Sequence, residues 1–317
     1  MTPAFLGIDT SNYTTSAALF DGQTVIENRK LPLPVAPGHR GLRQSDAVFH
    51  HTRQLPELLT GLLAGISLAG IGVSVVPRWA EGSYMPCFLA GKGHASVLGA
   101  ALGVPVWHFS HQQGHIAAAL YATGQLGLLK QEFLAFHISG GTTEALLASP
   151  GGAAGPHARL LAQSLDLKAG QAVDRVGVSL GLAFPCGPQL EELALRWQGP
   201  VRARPVMKGA DCSLSGIENQ CAALLKAAHP PEEIARFCLE SITVAIEEMC
   251  ARLLAELGPL PVVFSGGVCA NSLLRARLTA RFPSATFAPA AFSADNAAGV
   301  AVLAGQAGPP ACGCSRQ

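Results

Sequence analysis

The sequence predicts an α/β protein that consists of two related lobes. Of its 317 residues, 49% are hydrophobic and only 14% are charged, which is typical of a compact globular chain and far from the composition of a disordered one. Segments with the periodicity of buried strands alternate with segments of helical periodicity. A strand–turn–strand motif near the start also occurs a second time about 130 residues later. The chain is long enough for each lobe to bury a core of its own.

The repeated motif is a β-hairpin. The first copy, FLGIDTSNYTTSAALFDG at residues 5–22, runs through a polar turn into an alternating segment that ends at Asp-Gly. The second copy, FLAFHISGGTTEALLASPGG at residues 133–152, turns at Ser-Gly-Gly. Solenoid repeats have periods of roughly 20 to 50 residues. The wider spacing therefore predicts two lobes that each open on a hairpin.

The remaining segments predict the other elements in order. Residues 45–65 have the apolar spacing of an amphipathic helix, and residues 102–110 form an apolar strand that ends at Ser110. Ser110 is a suitable N-cap for a helix that reaches Ala122. The second half predicts a long helix at 232–258, a strand, glycine turn and helix at 261–282, and a last helix at about 296–306.

Charge and composition exclude several classes of protein. The net charge of +1 gives no overall attraction to RNA or to an anionic membrane, so an RNA partner requires a local basic patch or a helper protein. The start, MTPAFLGIDTS, lacks the pattern of a signal peptide. Uninterrupted apolar runs stay shorter than the roughly 18 residues of a transmembrane helix. The 9 cysteines form no CxxC pair, which predicts reduced thiols and a cytoplasmic location.

Two histidines form a candidate metal clamp. His111 and His115 are four residues apart on a predicted helix, so their imidazoles share one face roughly 6 Å apart. Neutral imidazoles in this arrangement can bind one divalent metal ion, although solvated helix faces carry the same spacing. The zinc-protease motif HExxH requires Glu after the first His as general base. Gln112 occupies that position and cannot accept a proton, which argues against a zinc protease.

A metal site with two histidines usually includes a carboxylate. The candidate third ligand is Asp295, in FSADNAAGVAV just before the last predicted helix. The alternative is that Asp295, like Ser293, serves as a helix cap.

Two apolar strands end in Ser-Gly-Gly, in HISGG at 137–141 and in FSGGVCAN at 264–271. Glycine lets backbone N–H groups approach a ligand closely, and a helix that begins near Asn271 favours an anion such as phosphate at its N-terminus. Tight turns in a crowded sheet are the alternative. Neither motif matches GxGxxG or GxxxxGK[ST], so Rossmann and P-loop sites are not predicted.

A further candidate lies in LDLKAGQAVDRVGVSLGLAFPCGPQLEELA, at residues 165–194. Asp174, on a predicted helix, is suited to a ribose hydroxyl, and the backbone at Gly187 is suited to a base or sugar. The alternative is a solvated ion pair of Asp174 with Arg175 or Lys168, which contributes little energy.

Eight short motifs, taken in order, resemble one family. They are GIDTS, HQQGH, HISGGTT, KAGQAVDR, PCGP, CSLSG, GGVCAN and ADN. Their order over nearly the whole chain resembles the tRNA N6-adenosine threonylcarbamoyltransferase family (TsaD or Gcp, formerly called O-sialoglycoprotein endopeptidase). The resemblance implies an actin-like ATPase fold, as in sugar kinases, Hsp70 and actin, with two duplicated lobes around a nucleotide cleft. Residues 1–109 with 296–317 would form the N-terminal lobe, and residues 110–295 the C-terminal lobe with the metal and nucleotide motifs.

The resemblance also implies a reaction and its ligands. The family transfers threonylcarbamoyl from its adenylate to the exocyclic amine of an anticodon-loop adenosine in tRNA. His111, His115 and Asp295 would hold one divalent metal ion, Fe²⁺ or Zn²⁺. The nucleotide, threonylcarbamoyl-AMP or ATP, would contact His137, Ile138, Ser139, Gly140, Gly141, Asp174, Gly187 and Asn271.

The implied partners are tRNA, a synthase that produces the adenylate, and helper subunits. The resemblance implies no association with a membrane. A local basic segment, with Arg196, Arg202, Arg204 and Lys208, is a candidate RNA contact. A solvated loop is the alternative.

The sequence departs from the family in three places. Where the family has an acidic pair after GIETS-C, this chain has Tyr13 and Thr14, which leaves Asp9 as the acidic candidate for catalysis. Thr142 replaces the histidine of the family's SGGH, and residues 73–99 lack its GPG-rich loop. These changes indicate a divergent paralogue. A non-catalytic nucleotide-binding subunit and a phosphotransferase of the same fold therefore remain alternatives.

Overall fold

The structure is a computed structural model that describes residues 3–11, 13–34, 42–293 and 297–308. Twelve strands are described: β1 Ala4–Ser11, β2 Thr14–Phe20, β3 Val25–Pro32, β4 Leu68–Val76, β5 Val106–Ser110, β6 Phe133–Ile138, β7 Thr143–Ser149, β8 His157–Gln163, β9 Val206–Lys208, β10 Asp211–Ser213, β11 Val262–Ser265 and β12 Ala285–Phe287.

Ten α-helices lie in the same described ranges: α1 Gln44–Leu63, α2 Phe88–Leu102, α3 His111–Ala122, α4 Ala169–Ser179, α5 Gly187–Arg196, α6 Ser215–Lys226, α7 Pro231–Leu257, α8 Ser272–Arg281, α9 Ala290–Ser293 and α10 Ala298–Ala307. The structure confirms both predicted hairpins and the strand that ends at Ser110. It also confirms the predicted helices that correspond to α1, α3, α7, α8 and α10. Within the described ranges, no helix has both the length and the apolar character that crossing a membrane requires.

The described residues form two compact units. Unit 1 lies within residues 1–131, 149–157 and 294–317, and unit 2 lies within residues 132–148 and 158–293. The sequence-based division at 109/110 and 295/296 differs from these boundaries, which fall at 131/132 and 293/294. The reason for the first difference is that α3 packs against α10 and β4, so it belongs to unit 1.

Each unit contains a five-stranded mixed sheet of the same plan. In unit 1 the order is β3-β2-β1-β4-β5, and in the second sheet it is β8-β7-β6-β11-β12. In both, the first strand of the hairpin pairs antiparallel with the second and parallel with a later strand. The strand order therefore repeats, which agrees with the duplication predicted from the two hairpins.

Close helix packing positions the histidine helix in unit 1. A Cβ on Gly299 of α10 would lie 1.8 Å from the carbonyl oxygen of Gly114 in α3, so only glycine allows the two helices to touch at this point. Gly114 lies directly before His115. The contact therefore fixes the position of the first turn of α3 against α10.

In unit 2, aromatic rings and one long helix form the core. The rings of Phe136 and Phe264 have centroids 4.8 Å apart, and Phe264 stacks on Phe287 at 5.0 Å. These contacts join β6, β11 and β12. The central part of α7 is buried against the same sheet and the neighbouring helices. This packing holds the ends of β6 and β11, each followed by glycines, at the same edge of the sheet.

Candidate functional site

Unit 1 brings two imidazoles together at the start of α3. Ser110 caps the helix: its hydroxyl accepts a hydrogen bond from the Gln113 N–H, and the Gln113 side chain accepts one from the Ser110 N–H at 2.8 Å. The capped first turn places the Nε2 atoms of His111 and His115 2.9 Å apart. The two rings therefore face each other across one side of the helix.

A buried carboxylate supports the His111 ring. Nδ1 of His111 lies 2.8 Å from Oδ2 of Asp9, whose residue is 1% exposed. The Ser74 hydroxyl donates to the same oxygen, and the Ser11 N–H donates to Oδ1 at 3.0 Å. A carboxylate accepts hydrogen bonds, so Nδ1 carries a proton and the Nε2 lone pair of a neutral His111 points toward His115.

The chemistry of this pair fits a divalent metal ion. Metal-bound histidines commonly donate their second ring N–H to a carboxylate, as His111 does to Asp9. Two nitrogens bound at about 2.0–2.1 Å in a tetrahedral site are about 3.3 Å apart, so a small rotation of the rings would suffice. Asp295 lies outside the described residues. Within the described ranges no group of three or more His, Cys, Asp or Glu side chains is placed to hold a metal, so His111 and His115 are two candidate ligands of an incomplete set.

Unit 2 contains a cavity of about 310 Å³ where β6, α4, α5 and the turn after β11 meet. Its lining comprises Gly140, Gly170, Val173, Asp174, Pro185, Gly187, Pro188, Glu191, Leu239, Gly267, Val268, Ala270 and Asn271. Of the predicted nucleotide contacts, Gly140, Asp174, Gly187 and Asn271 line the cavity. His137, Ile138, Ser139 and Gly141 lie on β6 or in the turn after it and do not line it.

The glycines at this cavity have two different structural roles. A Cβ on Gly266 would lie 2.2 Å from the Ile138 carbonyl oxygen, and the backbone there has a φ of 98°, so both packing and conformation require glycine. A Cβ on Gly140, Gly187 or Gly267 would meet nothing within 4 Å. The fold does not require glycine at these three positions, and the open space beside them is accessible to a ligand.

Polar groups at the cavity bind the surrounding backbone. Oδ1 of Asp174 accepts a hydrogen bond from the Cys186 N–H at 2.9 Å, which ties α4 to the start of α5. Oε1 of Glu191 accepts one from the Ser272 N–H at 2.7 Å, and Oδ1 of Asn271 accepts one from Leu274 at 3.0 Å. Two N–H groups at the start of α8 are thus already bonded to side chains. Glu191 also brings negative charge to the start of α8, and phosphate binding at this N-terminus stays a prediction.

Sequence reasoning did not identify Glu191. It lies four residues after Gly187 on α5, so it shares a helix face with that predicted contact. The i, i+4 spacing from Gly187 was the available signal. Ser74 was also missed, because only the pairing of β4 with β1 brings it to Asp9.

His51 is a further buried polar residue of unit 1 that the sequence did not indicate. Its Nδ1 lies 2.8 Å from the Thr15 hydroxyl, which donates to Gln54 at 2.5 Å. Burial lowers the pKa of His51 to about 4, against smaller opposing effects of the Ser11 backbone and Asp9. The imidazole is therefore neutral near pH 7.

The cysteines of the described ranges are buried thiols. Burial raises the pKa of Cys250 and of Cys269 to about 12 in each case, so these thiols stay protonated. The basic segment after α5 lies at the surface: Arg202, Arg204 and Lys208 are exposed, whereas Arg196 pairs with Glu192 one turn earlier on α5.

Two solved structures share the fold of this chain. HypF from T. kodakarensis superposes with a TM-score of 0.61 at 13% identity, over 96% of this chain and 47% of that chain. Component A of (R)-2-hydroxyglutaryl-CoA dehydratase from Acidaminococcus fermentans gives a TM-score of 0.56 at 14% identity, over 96% of both chains. The predicted actin-like ATPase fold is confirmed.

Relatives with a shared function name cover most of the chain. A tRNA N6-adenosine threonylcarbamoyltransferase from Aromatoleum aromaticum is 33% identical over 87% of this chain and 81% of its own length. A protein of that name from Thermus thermophilus is 30% identical over 94% of this chain and 91% of its own length. Residues 39–302 match the family model described as TsaD, tRNA N6-adenosine threonylcarbamoyltransferase. The chain therefore belongs to the tRNA N6-adenosine threonylcarbamoyltransferase family.

Proposed function

We propose that this protein transfers a threonylcarbamoyl group from its adenylate to the exocyclic amine of an adenosine in the anticodon loop of tRNA. Family membership supports the reaction class. The observation that carries the proposal is the imidazole pair of His111 and His115 with its buried carboxylate at Asp9. The resemblance assigns both histidines to the family's metal site, and it places Tyr13 and Thr14 where the family has an acidic pair.

His111, His115 and Asp295 are the proposed ligands of one divalent metal ion, Fe²⁺ or Zn²⁺. When bound, the ion would supply Lewis-acid stabilisation of the negative charge that develops on oxygen during acyl transfer. Asp9 holds the proton on Nδ1 of His111 and thereby directs Nε2 toward the ligand position. In this proposal Asp9 positions His111, because a carboxylate that is 1% exposed and holds three donors has little access to a substrate.

The cavity in unit 2 is the proposed nucleotide site. Gly140 and Gly141 are exposed, and their N–H groups donate no hydrogen bond within the described residues, so they are available to a phosphate. Elsewhere in the lining, on α4 and α5, the carboxylates of Asp174 and Glu191 accept hydrogen bonds and favour ribose hydroxyls over phosphate. The charge distribution therefore orients the nucleotide with its phosphate toward the glycine turn.

Burial of Asp9 also bears on the phosphotransferase alternative. Such an enzyme needs a carboxylate base within hydrogen-bond reach of a substrate hydroxyl. Asp9 is buried and already bonded to Ser74, Ser11 and His111, which disfavours that role. A non-catalytic subunit would retain the cavity and lack turnover, so only an activity measurement separates it from the transferase.

The test is incorporation of labelled threonine into unmodified tRNA by the purified protein with an adenylate-producing synthase, ATP and bicarbonate. We expect incorporation with wild type, loss with His111→Ala, and no change with His50→Ala, a histidine on α1 outside the pair. If wild type binds ATP but incorporates no threonine under conditions where a relative does, the transferase proposal is wrong and the non-catalytic alternative holds.

A further inference from the structure

The loop between β4 and α2, residues 77–86 with the sequence PRWAEGSYMP, exposes two large aromatic side chains. Trp79 is 58% exposed and Tyr84 is 62% exposed. This segment is also where the sequence lacks the GPG-rich loop of its family. Aromatic rings contribute most of their binding energy when they are covered. These two rings are therefore available to a ligand that covers them.

The loop is held in a defined conformation. The indole Nε1 of Trp79 donates a hydrogen bond to Oε1 of Gln113 at 2.8 Å. The backbone N–H of Gln112 donates to the Pro77 carbonyl at 3.0 Å. Within the loop, the Ser83 N–H donates to Ala80 at 3.1 Å. Because the indole is oriented before any ligand binds, covering it loses little side-chain entropy.

The same contacts place the loop against the first turn of α3, which begins with His111. Gln112 and Gln113 stand between His111 and His115 in the first turn of α3. Just after the loop, at the first residue of α2, the ring of Phe88 lies 6.2 Å from the His111 ring. Gln113 is two residues from His111 and so points away from the imidazole face. Trp79 therefore lies on a different side of α3 from the pair.

The composition of the loop suits a nucleobase better than a protein surface. The buried core of a protein interface is depleted of charged residues, whereas Trp79 lies next to exposed Arg78 and two residues before exposed Glu81. Unpaired RNA bases stack on single aromatic rings and on guanidinium planes. The charges of Arg78 and Glu81 offset each other, so attraction to phosphate is weak here and stacking is the main available interaction.

We propose that Trp79 and Tyr84 stack on unpaired bases of the RNA substrate. The identification of that RNA as tRNA rests on the proposed function, and the anticodon loop supplies unpaired bases of the required kind. Stacking itself depends only on the ring, its exposure and its fixed orientation.

Direct contact is tested by fluorescence. The chain has 3 tryptophans, so Trp107→Phe with Trp197→Phe leaves Trp79 as the remaining tryptophan, whose emission is followed under excitation that does not excite tyrosine. We expect saturable quenching on titration with an anticodon stem-loop RNA, and weaker quenching with the fully paired version of the same RNA. Equal quenching by the paired RNA would contradict stacking on unpaired bases.

Affinity is measured independently in the natural sequence background by anisotropy of the labelled stem-loop. Loss of one base–aromatic stack costs about 1–3 kcal/mol, so Trp79→Ala should weaken binding roughly 5- to 150-fold. Trp79→Phe, which retains a ring, should lose less. The matched control is Phe49→Ala, because Phe49 is 56% exposed on α1 and outside the loop. Melting temperatures of all variants separate unfolding from loss of contact.

The outcomes are distinguishable from those of the transfer assay. Trp79-dependent RNA binding without threonine incorporation supports the stacking inference and removes the proposed function. Threonine incorporation with unchanged RNA affinity in Trp79→Ala overturns the stacking inference and leaves the proposed function. An equal loss of affinity in Phe49→Ala, or covering of Trp79 by a protein subunit rather than by RNA, also overturns it.

Discussion

Nδ1 of His111 lies 2.8 Å from Oδ2 of Asp9, although the two residues are 102 positions apart in the chain. The carboxylate belongs to β1 of the first hairpin, and the imidazole belongs to the first turn of α3. Parallel pairing of β1 with β4, at Ile8 opposite Val73, brings Ser74 to the same carboxylate. The hairpin motif and the histidine motif thus form one polar centre in unit 1, in which Asp9 supports His111.

Replacement of Asp9 should weaken metal binding without removing a ligand. Asp9→Asn removes the charge that stabilises the proton on Nδ1 of His111, and changes to such supporting residues typically reduce metal affinity by about 10- to 100-fold. Competition of the protein with a chromophoric chelator for Zn²⁺ measures the affinity. Asp46→Asn, on the exposed first turn of α1, is the control and should have no effect. Equal affinity of the Asp9 and Asp46 variants would show that the carboxylate does not support a metal ligand.

The cavity in unit 2 predicts an effect on nucleotide binding that is separate from stability. In Gly140→Ala the added methyl group meets no protein atom within 4 Å, so the free energy of unfolding should change by less than about 0.5 kcal/mol. The methyl group does enter the space proposed for the nucleotide, and we expect affinity for ATP or AMP to fall about tenfold or more. Calorimetric titration measures it. Gly127→Ala, also in open space but in unit 1, should leave affinity unchanged; unchanged affinity in both variants would place the nucleotide elsewhere.

Gly266 should behave in the opposite way. Alanine at this position has to adopt a φ of 98° and places its Cβ 2.2 Å from the Ile138 carbonyl oxygen, so Gly266→Ala should destabilise the protein by about 3 kcal/mol or more. Its neighbour Gly267 has open space, and Gly267→Ala should retain the wild-type stability. Urea unfolding of the two variants provides the comparison. Similar unfolding midpoints would mean that the turn relaxes and that the close approach of β11 to β6 is not required.

Local sequence signals predicted much of the fold. The hairpins and α1, α3 and α7 have strong periodicity or caps, and each forms where expected. β3 was not predicted, because this edge strand has mostly intermediate or exposed residues and lacks an apolar alternation. α2 was not predicted either, because its three glycines and low amphipathicity disguise a helix that packs on the sheet.

The candidate sites were predictable only where spacing is local. The i, i+4 spacing predicted that His111 and His115 would lie on one face, and the glycine motifs pointed to the cavity. The bonds from Ser74 to Asp9 and from Ser272 to Glu191 span 65 and 81 positions. Such contacts depend on strand register and helix packing, which residue spacing does not encode. For that reason the side-chain caps of α8 were missed.

The buried imidazole of His51 predicts an acid dependence of stability. His51 is fully buried, and its pKa falls from an ordinary value of 6.5 to about 4, chiefly through burial. Between these two pH values the unfolded chain binds more protons at this residue than the folded chain does. Stability therefore rises with pH across this window, and it is lost as the pH falls from about 6.5 toward 4. The difference between the two pKa values corresponds to about 3 kcal/mol.

This contribution can be isolated with a neutral side chain of similar reach. In His51→Asn the amide N–H can still donate to the Thr15 hydroxyl, which itself donates to Gln54. Unlike the imidazole, the asparagine side chain cannot be protonated in this pH range. The free energy of unfolding, measured in urea from pH 7.5 to 4, should fall less steeply in this variant than in wild type. Burial also lowers the pKa of His108, so both proteins keep part of the slope, and the difference between the two curves reports His51. Parallel curves would mean that His51 is protonated equally in the folded and unfolded states, and that its burial does not control its charge.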